Sequence, residues 1–344
     1  FRGEAMKKLL LVVLAAILIS CGIASAELSG WSYKRPITID NTQNNNDLTD
    51  YQILVVMDTK SLIDQGKMRS DCGDIRFEDG GVLLSYWIES GCGTTNTRIW
   101  VKVPYIPANS MKTIYVYYGN PSATSASNGD ETFLFFDDFN DQYVDTNKWQ
   151  DWDGSATELP DGTLKLVGNS RLDIHFYSKT WITNPYIVET RYLRGYDGGL
   201  FFDVVDSYNG YLISLRDATM GLPKFEFYKW INGSWYTLTK SNPGVDTDWH
   251  KFKLVRNGSS MQIFEDGVLK LTASDGTYSG GYIGIRGWGD HPTYTDWIFV
   301  RKYTDPEPIV SVGQETPSQP QPIPEFPAVV IPALVAIGIL ALKK

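Results

Sequence analysis

Histidine and cysteine are scarce: the chain of 344 residues carries three of each. His175, His250 and His291 lie far apart, and no His/Cys spacing of a metal site is formed. Basic clusters are missing as well. Lys and Arg number 31 against 40 Asp and Glu, a formal net charge of -9. Nothing in the chain can neutralise a row of phosphates, so nucleic acid is not an expected partner. There is no phosphate loop, no Ser/His/Asp order and no transmembrane bundle. These absences remove most phosphoryl-transfer, zinc-dependent and serine-nucleophile chemistries from consideration.

What is present begins at the two ends. Met6-Lys7-Lys8 precedes an unbroken apolar run, Leu9 to Ile19, and then the small-x-small site Ala24-Ser25-Ala26. This is the pattern of a secretory signal peptide, expected over residues 1–26, with Phe1 to Ala5 as an extension before the start methionine. Leu18-Ile19-Ser20-Cys21 also fits a lipobox, with Cys21 lipidated; the Ala-Ser-Ala site, with cleavage before Glu27, is the preferred reading. At the other end, Ala328 to Leu342 is apolar with one proline, followed by Lys343-Lys344. As a helix this tail spans ~22 Å, short of a ~30 Å hydrocarbon core. Gln314 to Pro327 holds five prolines. It reads as an extended stalk that reaches up to ~40 Å.

Export changes how cysteine is read. After cleavage only Cys72 and Cys92 remain, with one possible pairing in an oxidising compartment. The competing reading, a metal pair, has no histidine nearby. A bridge over this loop is worth ~3 kcal/mol in the chain-entropy model. Aromatic residues reach 13%, with 20 Tyr and 11 Trp. They can fill β-sandwich cores or offer flat faces on which sugars stack.

The body reads as strands almost throughout. Residues 28–120 contain short runs such as Tyr51 to Met57 and Thr97 to Val103. In the latter, Ile99, Val101 and Val103 face one way and Arg98, Trp100 and Lys102 the other. Lys60 to Met68 is the one helical stretch, capped by Thr59. Residues 121–132, small and polar, read as a linker. Residues 133–305 hold longer strands. Asn257-Gly258 and Asp266-Gly267 sit between alternating runs and predict hairpins. The fold class expected is all-β: two antiparallel β-sandwich domains, the second a jelly roll, between an N-terminal signal helix and a C-terminal hydrophobic helix over 328–344.

Three segments resemble known families. "WSYKRPITIDNT", "SDCGDIRFED", "YWIESGC" and "WVKVPYIPANSMKTIYVYYGNPSA", within Trp31 to Asn128, resemble domain of unknown function 2341. That resemblance implies a secreted β-sandwich without an established activity. "WHKFKLVRNGSSMQIFEDGVLKL" resembles laminin-G-type modules. "FFDDFNDQYVDTNKW" and "TDWIFVRKY" resemble the first and last strands of laminarinase-type glycoside hydrolases. Together they imply a concanavalin A-like lectin/glucanase domain. Pro324-Glu325-Phe326 with its apolar run and basic end resembles the PEF-CTERM sorting signals of archaeal surface proteins. This implies tethering to a membrane or its lipid, outside the cell.

The laminarinase triplet Glu-x-Asp-x-x-Glu is absent, so the resemblance carries a scaffold and no catalytic residue. Asp203 and Glu226 are the carboxylates that could face each other from nearby strands, as a glycosidase would need. Alternation along four strands groups Arg191, Asp203, Arg216, Glu226, Tyr228 and Trp230 on one sheet surface. Polar groups beside flat rings suit a glycan. An ordinary solvated sheet face has the same pattern. The loop Gly287 to Tyr294 shows Trp288, Asp290, His291 and Tyr294, which either rim a groove or cap the core. The laminarinase resemblance implies a structural Ca²⁺ at Asp138 and Asp296. Asn232-Gly-Ser and Asn257-Gly-Ser are glycosylation acceptor patterns on turns. The leading expectation is a non-catalytic carbohydrate-binding or adhesion protein at the cell surface. The alternatives are a structural surface protein and a glycoside hydrolase with displaced carboxylates.

Overall fold

The computed structural model describes residues 28–318, apart from 152–154, 169–172, 194–196, 217–220, 245 and 290. The signal segment, Cys21, Asp290, the sorting motif and the apolar tail lie outside the described residues. Among the described residues, no helix is long and apolar enough to cross a membrane.

The fold is all-β, two antiparallel sandwiches in one chain. The first part supplies β1 (Tyr33–Asp40), β2 (Leu48–Met57), β3 (Arg76–Asp79), β4 (Val82–Leu84), β5 (Tyr86–Ser90), β6 (Thr97–Ile106) and β7 (Met111–Tyr118). Strands β2, β6 and β5 form a small sheet; β1, β7, β3 and β4 belong to a larger one. Their facing sides close on Ile37, Ile39, Ile53, Val55, Val101, Ile114 and Val116. Alternation on β6 holds as read: Ile99, Val101 and Val103 are in this core, and Trp100 points the other way. Cys72 and Cys92 form the disulfide. The helix is shorter than expected, α1 (Thr59–Asp64), and its cap is Asp58, whose carboxylate accepts from Ser61 N–H. Thr59 is the first helical residue; its hydroxyl turns instead toward Thr97.

The second part supplies β8 (Phe135–Asp137), β9 (Trp149–Asp151), β10 (Ser155–Glu158), β11 (Leu164–Val167), β12 (Asp173–Ser178), β13 (Tyr186–Leu193), β14 (Gly198–Asp206) and β15 (Asn209–Leu215). Then come β16 (Phe225–Ile231), β17 (Ser234–Lys240), β18 (Trp249–Asn257), β19 (Ser260–Glu265), β20 (Val268–Ser274), β21 (Tyr282–Trp288) and β22 (Thr293–Lys302). One sheet runs β10-β11-β22-β13-β18-β19-β20, with β8 beside β22; the other runs β17-β16-β15-β14-β21-β12-β9. Their inner faces share a core that includes Leu200, Phe202, Ile213, Phe227, Leu254, Ile263, Ile285 and Ile298. Both expected hairpins are present. Asn257 pairs with Ser260 across one turn and Glu265 with Val268 across the other.

The linear domain order read from sequence needs correcting. After the second sandwich, the chain returns to the first as β23 (Ile309–Val312) and β24 (Thr316–Pro317). Both pair with β1. Glu315 is held by Lys67 Nζ at 2.5 Å and Tyr118 Oη at 2.7 Å, and Ser318 N–H donates to Ser32. The start of the expected stalk is therefore part of the first sandwich, and the second sandwich is inserted between β7 and β23. The expected linker is also structured. It carries α2 (Gly129–Thr132), capped by Asn128, and Asn128 N–H donates to Tyr86 C=O.

The outer face of the small sheet is covered by the second part. Trp87 and Trp100 meet Phe133, Phe136, Trp297 and Phe299 in one aromatic cluster. Phe133 and Phe299 stack with centroids 4.2 Å apart. Around it, Glu89 receives Trp100 Nε1 at 2.8 Å, Arg98 at 3.0 Å and Lys251 from the other part. Buried Arg301 reaches Glu189 at 3.0 Å and also Glu307.

Candidate functional site

Four neighbouring strands, β14, β15, β16 and β21, and the edge strand β17 present one outer face. Much of it is apolar and covered. Tyr177, Phe201, Val204, Leu212 and Trp230 pack together there. Beside this patch lies a pocket of about 400 Å³ lined by Asp197, Leu212, Arg216, Tyr228, Trp235, Arg286 and Trp288. Larger clefts, of about 600 and 500 Å³, follow the seam between the two sandwiches. They lack this combination of exposed rings and converging charge, so the smaller pocket is the better site on chemical grounds.

Its floor is an ionic network. Arg216 Nε meets Asp197 Oδ1 at 2.5 Å and Arg216 Nη1 meets Glu226 Oε2 at 2.9 Å. Arg216 Nη2 donates to Tyr228 Oη at 3.0 Å. Arg286 Nη1 lies 2.8 Å from Asp197 Oδ1, and Thr237 Oγ1 donates to Glu226 Oε1 at 2.8 Å. The two guanidiniums and two carboxylates balance in charge. Next to Asp197, Gly198 and Gly199 have no room for a side chain: a Cβ at Gly198 would run into Tyr192 Oη, and one at Gly199 into Ile213 C=O.

Burial alone raises the Asp197 pKa, but Arg286 and Arg216 outweigh it and hold the carboxyl below its ordinary value. Glu226 behaves in the same way. Burial pushes it up, while bonds from Tyr228, Arg216 and Thr237 bring it below the usual range. Burial and Glu226 raise the Tyr228 phenol. Both carboxylates are thus held ionised at neutral pH, and neither is poised as a proton donor. The arrangement can accept and donate hydrogen bonds to hydroxyls. Its walls are rings: Arg216 lies over Tyr228 at 5.8 Å, Arg286 over Trp288 at 5.5 Å, and Trp235 crosses Tyr228 at 5.9 Å.

The sequence reading is met in part. Arg216, Glu226 and Tyr228 come together as expected; Trp288, for which the sequence left groove rim and core cap open, lines the same pocket. Trp230 shares the face but is only 2% exposed, covered by Trp235 with centroids 4.9 Å apart. Asp203 does not belong. A β-bulge at Phe202–Val204 breaks the alternation and turns Asp203 inward. There it pairs with Arg256 at 2.7 Å, both side chains fully buried, and accepts from Tyr186 Oη at 2.7 Å. Asp203 and Glu226 therefore lie on opposite faces and cannot flank one glycosidic bond. Arg191 is on β13, in the other sheet, bonded to Asp296 at 2.6 Å and lying over Trp249.

That ion pair bears on the expected calcium ligands. The Arg191 guanidinium occupies the Asp296 carboxylate. Asn232 and Asn257 are both exposed, at the turns after β16 and β18.

Asp197, Trp235, Arg286 and Thr237 were missed. Trp235 could have been found from the Asn232-Gly233 hairpin, which sets it opposite Trp230. Alternation along β21 puts Arg286 and Trp288 on the face opposite Ile283 and Ile285. Asp197 lies in a glycine-rich turn, and no periodicity marks it.

Several solved structures are similar to about half of this chain. The carbohydrate-binding module CBM66 from Bacillus subtilis is 20% identical, covers 46% of this chain and 98% of its own, and has a TM-score of 0.40. The Bacillus licheniformis β-glucanase is 16% identical over 49% of this chain and 98% of its own, with a TM-score of 0.40. Rv0315, described as an immunostimulatory antigen and pseudo β-1,3-glucanase of Mycobacterium tuberculosis, is 16% identical over 50% of this chain and 99% of its own, with a TM-score of 0.39. The uncharacterized protein MJ1472 of Methanocaldococcus jannaschii is 26% identical over 133 residues. This is 35% of the present chain, which spans only 24% of that relative. Residues 71–152 match the family model of the Domain of unknown function (DUF2341), a match that starts later than the expected Trp31 and runs past Asn128 into the second sandwich.

Proposed function

We propose that this protein is a non-catalytic carbohydrate-binding protein of the cell surface, and that its site is the Arg216–Asp197–Arg286 pocket. The observation that carries this reading is the pairing of a charge-balanced polar floor with three rings, Tyr228, Trp235 and Trp288, around a pocket of about 400 Å³. A sugar offers hydroxyls around its edge and C–H groups on its faces. Fixed guanidinium and carboxylate groups match the first, and flat aromatic faces match the second. Among the described residues the floor's guanidiniums and carboxylates balance, which favours an uncharged glycan.

Export and tethering rest on the signal pattern at 1–26 and the apolar tail at 328–344. The Cys72–Cys92 disulfide is in keeping with an oxidising compartment. The folded chain enters and leaves side by side, through Ser32 and Ser318. A tether after Ser318 would hold the first sandwich and leave the inserted one to carry the ligand.

A panel of neutral and acidic polysaccharides probed with the chain tests this reading. Trp235→Ala is expected to cost about 2 kcal/mol of binding, about thirtyfold in Kd. A blank panel with folded protein, or binding unchanged in Trp235→Ala, rejects the site and favours a purely structural surface role.

A further inference from the structure

Away from the pocket, two carboxylates meet without a counter-ion. The loop between β8 and β9 brings Asp141 against Glu158, the last residue of β10. One N–H, that of Tyr143, is shared between them: it donates to Asp141 Oδ1 at 3.1 Å and to Glu158 Oε2 at 3.0 Å. Glu158 is 7% exposed. Its other oxygen, Oε1, is buried without a hydrogen-bond partner. Asp137 adds negative charge nearby, its own oxygens accepting from Phe139 N–H and Trp149 Nε1 at 3.1 and 2.6 Å. Among the described residues, no Lys, Arg or His forms an ion pair with Asp141 or Glu158.

A buried carboxylate keeps its charge only with a counter-ion or with enough hydrogen bonds. Glu158 has one shared N–H and a like charge beside it. Burial and Asp141 push its pKa up to about 8. The contrast with Asp246, His250 and Glu265 is instructive, since their ligand atoms also cluster. There the charge is already balanced: Lys224 lies 2.7 Å from Asp246, and Lys270 lies 3.1 Å from Glu265. His250 adds contacts to Asp246 at 3.0 Å and Asp266 at 2.7 Å.

We propose that Asp141 and Glu158 bind a calcium ion that fastens the β8–β9 loop to β10. The donors are all oxygen, which selects a hard cation. Calcium accepts bidentate carboxylates in irregular geometry and completes its shell with backbone carbonyls and water, whereas magnesium demands a near-ideal octahedron. Asp137 supplies field from beyond the coordination shell. This pair is distinct from Asp138 and Asp296.

Calorimetric calcium titration of the full chain tests the site, together with terbium luminescence excited through tryptophan; Trp149 lies beside Asp137. The wild type is expected to bind calcium with Kd about 10⁻⁴–10⁻³ M, to gain Tm with calcium and to sensitise terbium. Glu158→Gln is expected to lose all three responses while its calcium-free Tm stays at or above that of the wild type. Asp141→Asn, at an exposed position, gives the same losses without touching a buried side chain. Asp296→Asn keeps the responses. A wild type indifferent to calcium overturns the proposal and assigns the pair to a shared proton. A response that survives Glu158→Gln and Asp141→Asn, or that disappears in Asp296→Asn, overturns it as well.

Discussion

Asp203 and Arg216 look alike in the sequence, each a charged residue in an apolar strand, and they end in opposite environments. Arg216 obeys the two-residue period of β15. Asp203 sits in a bulge with φ of +46° and faces the interior, against Arg256. Removing one partner of a buried pair leaves the other charge stranded, at about 3–5 kcal/mol. Asp203→Ala is therefore expected to lose about that much stability in chemical denaturation while glycan affinity stays unchanged. An affinity loss without a stability loss would return Asp203 to the site. The pocket carboxylates respond to pH in one direction. The folded pKa values of Asp197 and Glu226 are depressed, so their stabilisation is fully present above the unfolded values and is lost as pH falls through the folded ones. Binding and stability are expected to be flat near neutrality and to fall below about pH 4. A decline that begins above pH 6 would mean other groups govern the pocket.

Elements with an unbroken alternation were legible from sequence; those shaped by a bulge or a distant partner were not. β6, β15 and β16 could be assigned by face because their periods run without interruption. The two hairpins were legible from their Asn-Gly and Asp-Gly turns. Sequence does not say which strands share a sheet: alternation groups Arg191 with Arg216, although β13 and β15 belong to different sheets. Nor does it signal that β23 and β24, short and separated from β1 by an inserted sandwich, return to pair with it. His250 on β18 holds the connection between β17 and β18 through Asp246. Burial lowers the His250 pKa, yet Asp266 and Asp246 outweigh it and raise it above the ordinary imidazole value. Its stabilisation is present below about pH 6.5 and lost as pH rises through the folded value. In His250→Ala, the dependence of stability on pH between about 6 and 8 is expected to weaken. An unchanged dependence would show that the imidazole does not hold this connection.

The whole molecule behaves as one unit because the chain crosses the seam and comes back. The aromatic cluster around Trp87, Trp100 and Phe299 and the Glu89–Lys251 pair each join the two sandwiches, and the β1–β23 pairing closes the first sandwich around the inserted one. Calorimetry is expected to show a single unfolding transition. Trp100→Ala is expected to lower it for both sandwiches together, by about 3–5 kcal/mol. Two separate transitions in the wild type would contradict this coupling. Deleting residues from Ile309 onward strips β23 and β24 from β1, and the first sandwich is then expected to lose protection from hydrogen exchange along β1.

The pocket reading itself is tested most directly by titrating a glycan that binds and following the indole N–H resonances. Trp235 and Trp288 are expected to shift in a saturable way, while Trp100 and Trp297 at the seam stay still. Shifts confined to the seam, or none at either pocket indole in the presence of measurable binding, would place the ligand elsewhere and contradict the account.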